Sequence, residues 1–339
     1  MNWLLYFLEA LLIGAVIGSI LFWGKKKFNR EIVRRWGGSI VIVSTILTII
    51  INPEIEITRQ IFAILIGGVA ILFFGIWDDF KRISWKYQLA FQFFLALFLI
   101  WIGFDIGHIK LFDDIVVNLN FFYINFFGVY VYLIASVVFV IWMIAVINAI
   151  NWLDGIDGLS GFVSVLALLA IFVVSLRPEV NQPAIAIISL IVIGALLSFL
   201  SFNFFHSSLI AGTSGSYFFG FILATLAVIS GTKIAALMLI IIIPLIDAVW
   251  VIFDRIKNKQ SIFVGDNHSR HLHYRLIKLG WSEQKVVFVY ALFLAIILII
   301  DFYLQSRSFK LLLLVVEIGI IISFMYYVYK KELIKKYGK

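Results

Sequence analysis

The sequence predicts an all-α integral membrane protein with about eleven transmembrane helices, and three observations predict it. Of the 339 residues 63% are hydrophobic and 14% charged, with a mean hydropathy of +1.09, far outside the composition of water-soluble domains. The apolar residues form repeated runs of roughly 17 to 22, close to the ~20 that carry a helix across a ~30 Å hydrocarbon core. These runs are continuous rather than alternating, which selects helices over the other structure that satisfies its backbone in lipid, the closed barrel.

Spans are expected at 3–23, 37–51, 61–77, 87–104, 126–147, 159–176, 184–201, 216–230, 234–253, 286–304 and 311–329. The first run lacks a basic n-region and a small-residue cleavage site, so it is read as a helix and not as a signal peptide. Eleven crossings place the termini on opposite faces. One face receives 24–36, 78–86, 148–158, 202–215, 254–285 and the tail from 330. It holds all of the 27 lysines and arginines except Arg59, Lys110, Arg177, Lys233, Arg307 and Lys310. The positive-inside rule makes that face cytoplasmic, with the N-terminus outside and the C-terminus inside. The same rule accounts for the net charge of +8 with no nucleic acid as partner. Residues 105–125 carry β-branched and aromatic side chains around turn formers, the pattern of a short external hairpin. No repeat, low-complexity tract or linker divides the chain, so 1–339 reads as a single polytopic domain. There is no cysteine, which removes disulfides, thiolate metal sites and thiol nucleophiles.

The unusual polar residues fall on the basic face, in "GIWDDFKRISWK" (75–86), "NAINWLDGIDGLSG" (148–161), "SFNFFHSSLIAGTSGS" (201–216) and "FVGDNHSRHLHYRL" (263–276). Asn148, Asn151, Asp154 and Asp157 are three residues apart, a spacing that keeps neighbours on one side of a helix, and Gly155 and Gly158 mark a break near its lower end. Their oxygens suit Mg²⁺, which takes one or two protein ligands and completes its shell with water and phosphates. Asp78 and Asp79 end an apolar run beside Lys81, Arg82 and Lys86, either a solvated helix end or a pair that engages a phosphate acceptor. Arg270, His271, His273 and Arg275 suit a pyrophosphate better than a zinc ion, because paired helical ligands stand four apart and need a third ligand. His206 and His268 read as ordinary loop residues. Small residues around Thr213 resemble a helix start able to hold an anion, or a packing surface.

Taken together these motifs resemble the polyprenyl-phosphate N-acetylhexosamine-1-phosphate transferases, most closely the bacterial N-acetylglucosamine-1-phosphate branch, related to phospho-N-acetylmuramoyl-pentapeptide transferase. They recur in family order over about 37–276, from "RRWGG" (34–38) through the paired Asp, the Asn/Asp ladder and "GTSGS" to "RHLHYRL", with Asp247 of "PLID" a further family element. The resemblance implies a reaction at the cytoplasmic face of the cell membrane. A UDP-N-acetylhexosamine would give its sugar-1-phosphate to a polyprenyl (undecaprenyl) phosphate, releasing UMP and starting a cell-envelope glycan, with Mg²⁺ or else Mn²⁺. It implies Asn151 as a metal ligand, Asp154 and Asp157 as donor and nucleotide contacts, and Asn203 as a uridine-site residue. Lys86, Arg270, His271 and His273 would hold phosphates, and Asp78 or Asp79 would engage the acceptor. Asn148 and Thr213 complete the substrate-binding set, and a homodimer is left open.

Three departures stand out. The family's second metal ligand is an Asp where this chain has Thr213, so another oxygen substitutes, or Asn151 and the donor pyrophosphate hold the metal, or catalysis is impaired. The usual His-Leu-His-His reads His-Leu-His-Tyr, and the first basic loop lacks the customary proline and histidine. Two alternatives to the enzyme follow: an impaired relative that binds donor or lipid, and an unrelated transporter using Glu9, Asp247, Asp301 and Glu317.

Overall fold

A computed structural model describes residues 3–24, 30–110, 115–126, 128–204, 207–229, 233–260, 270–304 and 306–337. His206, His268, residues 25–29 of the first basic loop and the start of the fourth polar motif lie outside the described residues. Among those described are thirteen helices: α1 (Trp3–Gly24), α2 (Arg30–Arg34), α3 (Gly37–Ile51), α4 (Arg59–Lys81), α5 (Trp85–Ile102), α6 (Leu133–Leu153), α7 (Leu159–Ser175), α8 (Pro183–Asn203), α9 (Gly212–Val228), α10 (Lys233–Lys257), α11 (Leu272–Lys278), α12 (Glu283–Tyr303) and α13 (Arg307–Tyr337). Each expected span coincides with one of them. Eight are long and apolar enough to cross a membrane by length and composition, and α3, α7 and α9 are shorter apolar helices. The protein is a multi-pass helical membrane protein.

The fifth expected span begins too early. Phe126 and Val129–Tyr132 are strand, and the helix starts at Leu133 and runs on to Leu153. Here "FFYINF" and "VYVY" pair as antiparallel β3 (Tyr123–Phe126) and β4 (Val129–Tyr132), with Gly128 at φ +80 in the turn. Its aromatic and β-branched side chains favour a pleated strand, and an apolar run of this length does not separate strand from helix by periodicity. The expected hairpin is present one step earlier as β1 (His108–Lys110) against β2 (Val116–Asn118).

Burial sorts the helices into layers. On α9 every residue from Ser214 to Val228 is buried, enclosed by α3, α4, α6, α7 and α10. Next to it α8, opened by Pro183 where the missing N–H costs nothing, is mostly buried against α1, α3 and α7. By contrast α1 buries one stripe, Tyr6, Ala10, Gly14 and Gly18, each a turn apart, and turns Leu4, Leu8, Leu12, Val16 and Ile20 outward. The stripe is small because lipid drives no hydrophobic association, so contact comes from close approach. A Cβ on Gly194 of α8 would stand 2.4 Å from the Phe7 carbonyl oxygen. Large apolar side chains cover the outside of the bundle, the surface that a bilayer rather than water accommodates.

Candidate functional site

One end of the bundle is closed by backbone contact between distant segments. Ile210 N–H donates to the Arg34 carbonyl at 2.7 Å, Gly37 N–H to Ile210 at 3.0 Å, and Gly38 N–H to Ala211 at 3.0 Å. The "RRWGG" motif therefore serves as a strip along which the entry to α9 is laid. Gly212, at φ +65, is the position where glycine is required on two grounds: its backbone is left-handed, and a Cβ would meet the Arg35 carbonyl oxygen at 2.1 Å.

This approach sets Thr213 on the paired acids at the end of α4. Its hydroxyl donates to Asp78 Oδ2 at 2.6 Å, and its N–H reaches Asp79 Oδ1 at 3.4 Å. The two acids are not equivalent. Asp78 Oδ1 also accepts from Ile83 N–H at 2.8 Å and Gln88 Nε2 at 3.1 Å, holding the turn in which Arg82 adopts φ +49. Asp79 is equally buried, yet among the described residues its Oδ2 has no hydrogen-bond partner. A buried carboxylate oxygen left unpaired is costly, so of the two acids Asp79 is the one with an acceptor to spare.

The Asn/Asp ladder divides. Asn148 turns to α5, donating to Gln92 Oε1 at 2.6 Å and to Ile144 O at 2.7 Å. Asn151 turns to α9, where its Oδ1 accepts from Ser216 at 2.8 Å, one turn beyond Thr213. Asp154 follows the end of α6 and accepts from Ser160 at 2.5 Å, and Asp157 Oδ2 accepts from Ser207 N–H at 3.2 Å. Burial pushes the Asp154 carboxyl up to about 7. The Ser160 bond opposes the shift, and the nearby Asp157 and Asp79 charges add to it. Asn203, at the end of α8, accepts from Gly158 N–H at 2.8 Å and donates to Leu209 O at 2.9 Å. Its amide is thus spent joining two site loops.

His271 precedes α11, with Nδ1 2.8 Å from Asp247 Oδ2 of α10, while Leu272 N–H donates to the other oxygen of that carboxylate at 2.9 Å. His273 stacks on His271 at 5.8 Å and packs over Gly155, whose carbonyl accepts from Tyr274 OH at 2.7 Å. A Cβ on Gly155 would stand 2.5 Å from His273 Nε2, so the glycine of the ladder is what lets the histidine turn seat on the Asp154 loop. Asp78, Asp79, Asn151, Asp154, Asp157, Asn203, Thr213, His271 and His273 are brought together. Arg270 is engaged elsewhere, by Asp254 and Gln260, and Lys86 is exposed with its Nζ 5.9 Å over the Trp85 ring.

Sequence reasoning missed Gln88, Gln92, Ser216 and Tyr217, whose hydroxyl donates to Gln88 at 3.0 Å. The available signal was the two glutamines one turn apart inside an apolar helix. Among the described residues no three His, Asp or Glu surround a common point. The unpartnered Asp79 Oδ2 and the Asn151 and Asp154 oxygens are, by donor chemistry, the kind that a hard cation keeping most of its shell in water and phosphate takes. Of the intramembrane acids, Asp247 is bound to His271, Asp301 pairs with Lys310 and Glu9 accepts from Asn52. Glu317 is buried, and among the described residues neither of its carboxylate oxygens has a hydrogen-bond partner.

Residues 61–231 match the family model described as glycosyl transferase family 4. The chain is 29% identical over 311 residues to the probable undecaprenyl-phosphate N-acetylglucosaminyl 1-phosphate transferase of Bacillus subtilis, covering 90% of this chain and 82% of the relative. It is 30% identical over 288 residues to the phospho-N-acetylmuramoyl-pentapeptide-transferase of Caldanaerobacter subterraneus, covering 80% and 83%. A decaprenyl-phosphate N-acetylglucosaminephosphotransferase of Mycobacterium tuberculosis is 28% identical over 129 residues, covering 33% and 31%. These matches remove the unrelated transporter. With half of its length matched and its motifs in family order, the chain belongs to glycosyl transferase family 4.

Proposed function

We propose that the chain transfers N-acetylhexosamine-1-phosphate, first of all GlcNAc-1-phosphate, from a UDP-sugar to polyprenyl phosphate at the cytoplasmic face of the cell membrane, releasing UMP and starting a cell-envelope glycan. The observation that carries this reading is the uncommitted Asp79 oxygen beside Asn151, the Asp154 loop and the histidine turn, at one end of an apolar bundle. A soluble donor and a lipid acceptor meet only at such an edge.

In the reaction an acceptor phosphate oxygen attacks the phosphorus that carries the sugar. The new P–O bond forms as the bond to UMP breaks, and UMP leaves with the electron pair. A phosphate monoester has its second pKa near ~6, so the acceptor arrives largely ionised and needs no obligatory base. Phosphoryl transfer depends on position and on charge neutralisation. Asp79, Asn151 and Asp154 would hold Mg²⁺ or Mn²⁺, which when bound neutralises developing charge on the pyrophosphate. Asp79 supplies the carboxylate oxygen that Thr213 does not. His271, held through Nδ1 by Asp247, turns Nε2 to a phosphate oxygen. Asp157 contacts the nucleotide, and Asn203 shapes its pocket from behind. The test is UMP release from membranes that requires both polyprenyl phosphate and Mg²⁺, with mass spectrometry of the lipid product. No release with any UDP-N-acetylhexosamine, from folded protein, refutes it.

Thr213 motivates a second reading, a relative that binds donor or lipid without turnover. Thr213→Asp separates the two: a gain of transfer supports impairment, and a loss shows that the hydroxyl bonded to Asp78 belongs to the working site.

A further inference from the structure

At 31 residues and 1.5 Å per residue α13 is about 46 Å long, where about 20 residues cross the membrane. Its last turns therefore project beyond the hydrocarbon core, and they come down on α11. Glu332 accepts from Arg275 at 3.1 Å and lies 3.5 Å from the Lys278 ammonium. Lys335 donates to the Lys278 carbonyl at 2.8 Å, and Tyr329 places its ring 5.3 Å from the Arg275 guanidinium.

We propose that the projecting end of α13 is a brace that seats the histidine-bearing helix, with Glu332 a positioning residue for His271 and His273. Only seven residues long, α11 is far below the length at which a helix holds itself, so its seat is set by contacts at its two ends. At the start Asp247 binds His271 and the Leu272 N–H. At the other end Lys335 takes a terminal carbonyl that helix geometry leaves without an internal partner. Between them Arg275, 5% exposed, donates through Nε to the Arg270 carbonyl at 2.7 Å, the residue before His271. Glu332 is thus linked through one guanidinium to the backbone that aims the histidine. Asp254, 3.9 Å from Arg275, is already engaged by Arg270 and does not replace Glu332. Without Glu332 the buried guanidinium keeps only the longer contact to the shared Asp254, and relief comes by moving the helix that carries it.

What the brace does for the donor rests on the transfer reaction proposed above; the brace itself does not. The test uses full-length protein in nanodiscs, wild type against Glu332→Gln and Lys335→Gln. Amide exchange over 272–279 is expected to accelerate about tenfold in each variant, the scale of one charge-assisted hydrogen bond. Donor KM is expected to rise about tenfold with polyprenyl-phosphate KM unchanged, a split that simple loss of folded protein does not produce. Unaltered exchange in both variants overturns the brace. Faster exchange with both KM values unchanged, or raised together, overturns the positioning role. Should the wild type transfer no sugar, the proposed reaction falls and the exchange measurement still decides the brace.

Discussion

Asp79→Asn and Asp78→Asn make a paired test of the site, because the two acids differ in commitments and not in burial. Asp78 accepts three hydrogen bonds, from Thr213, Ile83 and Gln88. Asparagine keeps the shape and the two bonds that Oδ1 accepts, each weakened from a bond to a carboxylate to a neutral one by about 0.5 to 1 kcal/mol, and puts an NH2 in place of Oδ2, so that the Thr213 hydroxyl must turn to accept at a similar cost. Asp78→Asn is therefore expected to lose roughly 1.5 to 3 kcal/mol of stability. Asp79 gives up far less. Its one bond, to Thr213 N–H at 3.4 Å, survives on the retained carbonyl oxygen, and the unpartnered oxygen becomes an amide. Asp79→Asn is expected to melt within a degree or two of wild type, or above it, while transfer falls about 10²- to 10³-fold, as when a charge-stabilising group is removed. Thermal unfolding in detergent and UMP release on the same preparations read the two effects. Equal destabilisation of both variants, or wild-type turnover by Asp79→Asn, refutes the assignment.

A second prediction concerns pH. The Asp154 carboxyl keeps its proton up to about 7 when folded, against ~3.9 in an unfolded chain. Between those values the folded state binds more protons, so wild-type stability falls as pH rises from about 4 to 7 and is level above. Asp154→Asn lacks that term, and its melting temperature relative to wild type is expected to climb between pH 5 and 8; a pH-independent difference contradicts it. Gly212→Ala, which needs φ +65 and drives a Cβ to 2.1 Å from a carbonyl oxygen, is expected to leave no monodisperse protein by size-exclusion chromatography. For Gln92 and Asn148 a double-mutant cycle with leucine is expected to give a coupling of about 0.6 to 1.7 kcal/mol in thermal unfolding; additive single changes dissolve the pair.

The helices were legible because long apolar runs are the strongest periodic signal, and the polar clusters because so little else in the chain is polar. What each polar side chain touches was not, since the partners lie far away in sequence: Thr213 meets Asp78 across 135 positions and Asn148 meets Gln92 across 56. The adjacent acids looked alike until the turn after α4 committed one of them. Arg270 offered the same charge to phosphate or to Asp254, and only the run of α10 brought Asp254 near. Residues 126–132 were misjudged because apolar aromatic sequence serves strand and helix alike. Glu332 was lost among the lysines of the tail.

The enclosure of α9 bears on how the molecule is made. With no lipid-facing side and only 17 residues, this segment has little to gain from entering the bilayer alone. Four of its five neighbours, α3, α4, α6 and α7, precede it in the chain. The nascent polypeptide thus has most of a socket waiting when Thr213 and its helix emerge, and α10 follows directly to shut the remaining side.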